Sequence, residues 1–171
     1  MSKKRVRTHV NPFSVRHRLN EYSINDKLRQ YNAIHFEIGF GKGRFIQHFA
    51  EHHPNDLIIG TEIRKPLVIE LEKNLMSPNI IPIWGAAQTC LEDAIPNHSL
   101  DSVFIFHPDP WFKRRHYARR VVNTELLNLL CDKMKPYSMI YISTDVQELF
   151  KDISTICLSH SGFTPIKTDD F

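Results

Sequence analysis

Residues 107–120, with the sequence HPDPWFKRRHYARR, place an acidic residue, a tryptophan and a run of basic residues just after an apolar stretch. The apolar run at 102–106 is typical of a buried strand, which must end at Pro108 because proline cannot donate a ladder hydrogen bond. Asp109 therefore lies just beyond the carboxyl end of a strand. Ligands of open α/β sheets bind in that position, so the segment is a candidate ligand-binding loop.

The net charge of +3 conceals a strong asymmetry. Residues 1–20 contain six lysines and arginines and no acidic residue, and residues 113–120 contain five and no acidic residue. The rest of the chain therefore holds 11 of the 22 basic residues and all 19 acidic ones. Basic residues concentrated in this way are typical of segments that contact phosphates. We expect a nucleic acid partner, with a merely solvated basic surface as the alternative.

Strand and helix patterns alternate along the chain. Apolar, β-prone runs predict strands at 34–38, 57–63, 80–84, 101–106 and 139–143, with 163–166 as a candidate sixth. Helical spacing of apolar residues separates them, and a short amphipathic helix is predicted around 15–22. This alternation predicts an α/β fold with a doubly wound, mostly parallel, Rossmann-like sheet. We divide the 171 residues into a basic N-terminal arm, 1–30, and a single domain, 31–171.

Several kinds of site and location are not expected. No apolar run approaches the roughly 20 residues needed to cross a bilayer, so we expect no membrane partner and a cytoplasmic location. His107 and His116 flank the acidic loop, but no set of carboxylates or cysteines completes a zinc geometry, so we expect no metal. The three cysteines are widely spaced and form no CxxC pair, which predicts free thiols.

The segment EIGFGKG, residues 37–43, connects the first predicted strand to the first predicted helix. Gly39 and Gly41 allow a sharp turn and a close approach of a ligand to the main chain. Glu37 would repel a pyrophosphate but attract a cation, which favours a cofactor with an amine or sulfonium over NAD. Glu62 ends the second strand roughly 20 residues after this loop, where an acidic residue can accept both ribose hydroxyls of an adenosyl group.

Taken in order, the segments EIGFGKG, GTEIR, HPDPWFKRRHYARRVV and STD resemble the bacterial tRNA (guanine-N7)-methyltransferase family over nearly the whole chain. The resemblance implies the class I methyltransferase type of fold, S-adenosylmethionine as cofactor and tRNA as partner. It implies methyl transfer to N7 of a guanine in the variable loop. The residues that it implies are a catalytic Asp109, cofactor contacts at Glu37, Gly39, Gly41, Glu62, Ala86 and Asp109, and substrate contacts at Lys113, Arg114 and Asp145.

We expect the protein to supply alignment rather than a general base, because guanine N7 already has an in-plane lone pair. In this hypothesis Asp109 orients the guanine by accepting from its N–H groups, and Asp145 closes the pocket from the adjacent side. The residues from Lys113 to Arg120 face the RNA backbone. Trp111 stacks on the target base or locks the loop against the core.

The sequence departs from the family pattern in two places. The chain has Gly85-Ala86-Ala87 where the family usually has an Asp-Ala pair that holds the adenine end, so a hydrogen-bond acceptor is missing. The family also continues beyond the position of Phe171 with a Thr-x-x-Glu-type segment, so we expect the last strands of the sheet to be missing here. These departures leave a catalytically impaired RNA-binding homologue as an alternative. A small-molecule methyltransferase is a third reading, against which the basic clusters argue.

Overall fold

The structure is a computed structural model that describes residues 24–166. The strands are β1 (Ile34–Ile38), β2 (Leu57–Glu62), β3 (Ile80–Trp84), β4 (Leu100–Phe106) and β5 (Met134–Ser143). The helices are α1 (Ile24–Leu28), α2 (Arg44–His52), α3 (Lys65–Lys73), α4 (Ala87–Ala94), α5 (Thr124–Lys133) and α6 (Gln147–Ser159), and a 3₁₀ helix covers Arg114–Arg119. The helix predicted at 15–22 and most of the arm lie outside the described residues.

All neighbouring strands of the sheet run parallel, in the order β3-β2-β1-β4-β5. The chain starts in the middle at β1, moves outward to β3 and then returns to the other side of β1. The order therefore reverses between β1 and β4, and the loops after these two strands leave in opposite directions. This reversal opens a crevice at the carboxyl edge of the sheet. The predicted α/β, doubly wound architecture is confirmed.

Two apolar cores hold helices against opposite faces of the sheet. The larger core contains side chains of α1, α4, α5 and α6, and the smaller one contains side chains of α2 and α3. Within β2, Ile58 belongs to the smaller core and Ile59 to the larger one, and in β4 Phe104 and Val103 divide in the same way. Successive side chains of a strand point to opposite faces. Burial on both sides explains why the strands are continuous apolar runs in the sequence.

Two predictions near the C-terminal side were wrong. β5 begins at Met134 instead of residue 139, directly after α5, and a register shift between Leu100 and Ser102 accommodates the additional residues. Residues 163–166 form no strand. Phe163 instead packs against the larger core, so the apolar character of this stretch serves packing rather than pairing.

α1 lies within the residues that we assigned to the arm, yet its Ile24 is only 3% exposed in the larger core. Over residues 24–166, no helix has both the length and the apolar character needed to cross a membrane.

Candidate active site

A cleft lies at the carboxyl edge of the sheet, where the strand order reverses. Segments that follow each of the strands β1 to β4 line it, namely residues 38–39, 61–64, 85–88 and 106–109. Its volume is about 120 Å³, below the roughly 300–1,000 Å³ typical of pockets for small-molecule ligands. The cleft thus has the position expected of a ligand site, with a volume below the usual range.

The glycine loop after β1 borders the cleft, and Gly39 is the residue of this loop that lines it. Gly41 has a φ of +58° and Gly43 a φ of +72°, a region that glycine adopts without the steric cost of a Cβ. A Cβ at Gly43 would lie 2.7 Å from Leu71 Cδ1, so glycine also lets α2 and α3 approach closely. The Gly39 N–H donates to the Thr61 carbonyl at 2.8 Å, which holds the loop against the end of β2.

Glu62, the last residue of β2, lines the cleft with a side chain that is 2% exposed. Its Oε2 accepts from the Gly41 N–H at 3.0 Å and from Arg64 Nη2 at 2.7 Å. Its Oε1 accepts from the Arg64 N–H and from Arg64 Nε, both at 2.9 Å. The buried charge is thereby paired and fully hydrogen-bonded. Sequence reasoning found Glu62 but missed Arg64, whose signal was a basic residue just after a strand-end glutamate.

Glu37 lies deeper in the sheet, beside Gly60 of β2 and Phe104 of β4, and is 3% exposed. Its Oε2 is buried and has no hydrogen-bond partner within the described part of the chain. Burial, followed by the negative charge of Glu62, raises the pKa of Glu37 to about 8. Glu37 therefore holds a proton at neutral pH, and it lies behind the cleft wall rather than on its lining.

Asp109 lines the cleft on the opposite side, in the loop after β4. His107 and Trp111 flank it with φ values of +48° and +45°. Non-glycine residues in this region cost about 1–3 kcal/mol each and cluster at ligand sites. Hydrogen bonding to Glu62, followed by the charges of Glu62 and Asp109, raises the pKa of Arg64 against the effect of burial. Arg64 is thus bound to Glu62 and also lies in the electrostatic field of Asp109.

The loop after β4 is tied to the end of β5. The His107 N–H donates to the Ser143 carbonyl at 2.9 Å, which extends the ladder between the two strands. His107 Nδ1 lies 3.4 Å from Asp145 Oδ1. Asp145 is therefore close to the loop that carries Asp109, but its side chain is 82% exposed and lies outside the lining of the cleft.

We define the basic segment as residues 112–115, which are all exposed. Its first residue, Phe112, is 66% exposed. Trp111, in contrast, is partly buried, with its ring edge-on to His116 at 5.6 Å and the Arg119 guanidinium 5.1 Å from its centroid. Trp111 packs against its own loop and also lines the cleft, whereas Phe112 is the aromatic side chain that the loop presents to solvent.

Arg120 does not face outward as we predicted. It is 7% exposed, donates from Nε to the Pro110 carbonyl at 2.8 Å and forms an ion pair with Asp152 of α6. Its guanidinium lies 3.7 Å from the Tyr117 ring centroid and 3.7 Å from the carboxylate of Glu148. The prediction that Arg120 faces outward is wrong, because the side chain fastens the loop to α6.

Comparison with known proteins identifies the family. Residues 31–170 match a family described as "putative methyltransferase". A tRNA (guanine-N(7)-)-methyltransferase of Nitrosococcus oceani is 36% identical over 144 residues, which cover 82% of this chain and 61% of that protein. One of Thermosynechococcus vestitus is 33% identical over 172 residues, which cover 96% of this chain and 80% of that protein. The chain belongs to the tRNA (guanine-N(7)-)-methyltransferase family.

Relatives in this family are longer than this chain, which spans 61% of the Nitrosococcus protein.

Solved methyltransferases share the fold. Precorrin-6y C5,15-methyltransferase from Geobacter metallireducens aligns with a TM-score of 0.60 at 15% identity, over 89% of this chain and 78% of that one. A 16S rRNA (adenine(1408)-N(1))-methyltransferase from Catenulisporales acidiphilia, solved with S-adenosylmethionine, aligns with a TM-score of 0.51 at 17% identity, over 75% and 67%.

The departure from the family pattern at Ala86 lies in the cleft. Ala86 is 9% exposed and lines the wall after β3 together with Gly85, and neither offers a side-chain acceptor. Gln88 lines the same wall and carries an amide that both donates and accepts. Sequence reasoning did not single out Gln88, although its place just after the Ala-Ala pair was visible.

Lys113 and Arg114 lie outside the lining of the cleft, next to it on the basic segment. Between residues 24 and 166, the side chains close enough to share a metal ion are His48, Glu51 and His52, which are exposed on α2 and outside the cleft. The expectation that the active site uses no metal stays a prediction.

Proposed function

We propose that this protein binds S-adenosylmethionine in the cleft and transfers its methyl group to N7 of a guanine in the variable loop of a tRNA. The observation that carries the proposal is the arrangement of charge. The carboxylates of Glu62 and Asp109 line one cleft, and the basic segment is exposed directly beside it. These two carboxylates, which share the cleft lining with Arg64 and Arg119, would attract a cationic cofactor, and a basic rim suits the phosphates of RNA.

The residues present fit this cofactor. Glu62 would accept from the ribose hydroxyls, and Gly39 leaves the main chain accessible to a ligand in the cleft. Gly41 lies outside the cleft lining and would act through its N–H, which donates to Glu62. The buried Oε2 of Glu37 lacks a hydrogen-bond partner among the described residues, and a cationic group nearby would stabilise its ionised form. Gln88 would supply polar contacts on the Ala86 wall. When bound, S-adenosylmethionine supplies an electrophilic methyl carbon.

The protein's contribution to the reaction is alignment. The lone pair of guanine N7 lies in the plane of the base, so no residue needs to remove a proton before attack. Asp109 would orient the guanine by accepting from its N–H groups, and Asp145 would bound the entrance. Lys113 and Arg114 would bind phosphates, with the target base displaced from its stack. Phe112, rather than Trp111, is the exposed aromatic group for a neighbouring base to stack on.

The test is transfer of a labelled methyl group to an unmodified tRNA transcript. We expect Asp109→Asn to lower the rate by about 100-fold, because a misaligned base reacts slowly. Asp132→Asn, which removes an exposed acid on α5, is the matched control and should retain the wild-type rate. A transcript that contains 7-deazaguanosine should accept no label. Full activity of Asp109→Asn would refute its role, and label on the 7-deaza transcript would refute the N7 assignment.

The alternative function is tRNA binding without catalysis. Two observations favour it, the absence of a side-chain acceptor at Ala86 and the pairing of Glu62 with Arg64. Calorimetric titration with S-adenosylmethionine separates the two functions. Binding of the cofactor supports the enzyme, whereas tRNA binding without any detectable cofactor binding supports the alternative.

A further inference from the structure

The four hydrogen bonds to Glu62 occupy its carboxylate completely. A carboxylate has about four lone-pair positions, two on each oxygen. On each oxygen of Glu62, one position is taken by a backbone N–H and the other by the Arg64 guanidinium. The backbone donors are Gly41 and Arg64 itself, and neither depends on the Arg64 side chain. The side chain could therefore leave while the carboxylate keeps its orientation.

Departure of the guanidinium would free one acceptor position on each oxygen. A ribose presents two neighbouring hydroxyl donors, so it needs two acceptor positions of this kind. The guanidinium fork and a vicinal diol are thus alternative occupants of the same carboxylate. As the structure stands, the carboxylate has no position left for a ribose.

We propose that the Arg64 side chain competes with the ribose of the cofactor for Glu62, so that the cofactor binds by displacing it. The inference rests on the proposed function, because it assumes that an adenosyl cofactor enters this cleft. It identifies Arg64 as a residue that sets cofactor affinity through Glu62.

The surroundings of Arg64 fit a side chain that moves. The Glu62 side chain is 2% exposed, but that of Arg64 is 28% exposed, so the guanidinium can reach solvent without unfolding the site. Arg64 lines the cleft, whose volume of about 120 Å³ lies below the roughly 300–1,000 Å³ typical of small-molecule pockets. Removal of the guanidinium would enlarge it. Asp109 on the opposite wall attracts the same cation, so a displaced Arg64 has a second carboxylate within its field.

The experiment measures the affinity of S-adenosylhomocysteine and of its 2′,3′-dideoxy analogue by calorimetry. Arg64→Met removes the guanidinium and keeps an apolar stem, and Arg64→Lys keeps the charge but not the fork. Lys73→Met removes an exposed cation from the far end of α3 and is the matched control. Circular dichroism establishes that each variant is folded.

We expect Arg64→Met to bind S-adenosylhomocysteine about tenfold more tightly than the wild type, since two charge-assisted bonds no longer have to be broken. The affinity for the dideoxy analogue should change by less than about twofold. The affinity of Arg64→Lys for S-adenosylhomocysteine, which has the diol, should lie between those of the wild type and Arg64→Met. Glu62→Gln should weaken the binding of S-adenosylhomocysteine and abolish the difference in affinity between the two ligands. A merely structural role for Arg64 would move both ligands together.

Three results would overturn the proposal. If Arg64→Met binds S-adenosylhomocysteine as the wild type does, or more weakly, Arg64 does not compete, and the proposed function still stands. If the affinity for both ligands rises equally in Arg64→Met, the effect is not exerted on the ribose hydroxyls. If neither wild type nor any variant binds S-adenosylhomocysteine, the proposed function fails and this inference fails with it.

Discussion

Glu37 and Glu62 hold their carboxyl groups inside the sheet, whereas Lys113, Arg114 and Arg115 carry their charges in solvent. On the acidic side each carboxylate is coupled to its neighbours, through four hydrogen bonds at Glu62 and through a raised pKa at Glu37. On the basic side the charges are separate and are screened by salt. Changes on the acidic side should therefore alter stability and protonation, and changes on the basic side should alter tRNA affinity alone.

The largest expected effect concerns Glu37. Its pKa is about 8 in the folded protein against an ordinary value of 4.5. Between these values the folded state holds a proton that the unfolded state releases, so the free energy of unfolding falls as the pH rises. The loss from pH 4.5 to 8 amounts to at most about 5 kcal/mol. Glu37→Gln should lack this slope. Its stability relative to that of the wild type should therefore rise between pH 5 and pH 8.

Urea denaturation of Glu37→Gln and wild type at several pH values between 5 and 8 measures this slope. Glu70→Gln, which removes an exposed carboxylate on α3, is the control and should follow the wild type. Parallel curves for wild type and Glu37→Gln would mean that burial does not perturb Glu37, and the contrast between the two sides of the cleft would weaken.

The next effect concerns Arg120 and tests whether it stabilises the fold as a buried residue does, although it lies in a basic run of the sequence. Arg120→Met should lower the free energy of unfolding by about 2–3 kcal/mol, because the Pro110 carbonyl and Asp152 lose their partner. Asp152 is 43% exposed, so water offsets part of the loss. Arg115→Met, at an exposed position, should change stability by less than about 0.5 kcal/mol. Equal stabilities in urea would contradict the anchoring role.

The smallest effect on stability belongs to the basic segment. Alanine at Lys113, Arg114 and Arg115 together should leave the free energy of unfolding within about 0.5 kcal/mol of wild type. The slope of log K for tRNA against log salt should fall by about two, with roughly tenfold weaker binding near physiological salt. Filter binding at several salt concentrations measures both quantities.

A matched control for the basic segment removes three exposed cations elsewhere, Arg29, Lys73 and Lys151, with the same change of charge. Its salt slope should change less, since those residues lie on other elements. If the tRNA affinity of both triple variants falls equally, the effect reflects net charge, and the basic segment is not a specific binding surface.

Much of this molecule could be predicted from the sequence, because strands buried on both faces leave continuous apolar runs and glycines at a strand end mark a sharp turn. The start of β5 could not, since Lys135, Pro136 and Tyr137 interrupt the apolar alternation and are only partly buried or exposed. Position after a strand end sufficed to find Glu62 and Asp109, since the topology brings strand ends together.

Partners within the site could not be predicted in the same way. Arg119 and Arg120 are adjacent and identical in type, and only the position of α6, with Asp152 and Glu148, makes one of them an anchor. The basic residue two positions after Glu62 was visible in the sequence, but its pairing with Glu62 was not, because that contact depends on how the chain turns after β2. Residue type and spacing identify charges, but the tertiary packing decides which charges meet.

The hydrogen bond from the His107 N–H to the Ser143 carbonyl has a dynamic consequence. β5 is the outermost strand of the described sheet next to β4, and the outermost strand of a sheet has one fewer neighbour to hold it. Motion of β5 would therefore reach the loop that carries Asp109 through this bond as well as through the β4–β5 ladder. The time that Asp109 spends in register with a bound guanine would then follow the opening rate of β5, which amide hydrogen exchange at His107 reports directly.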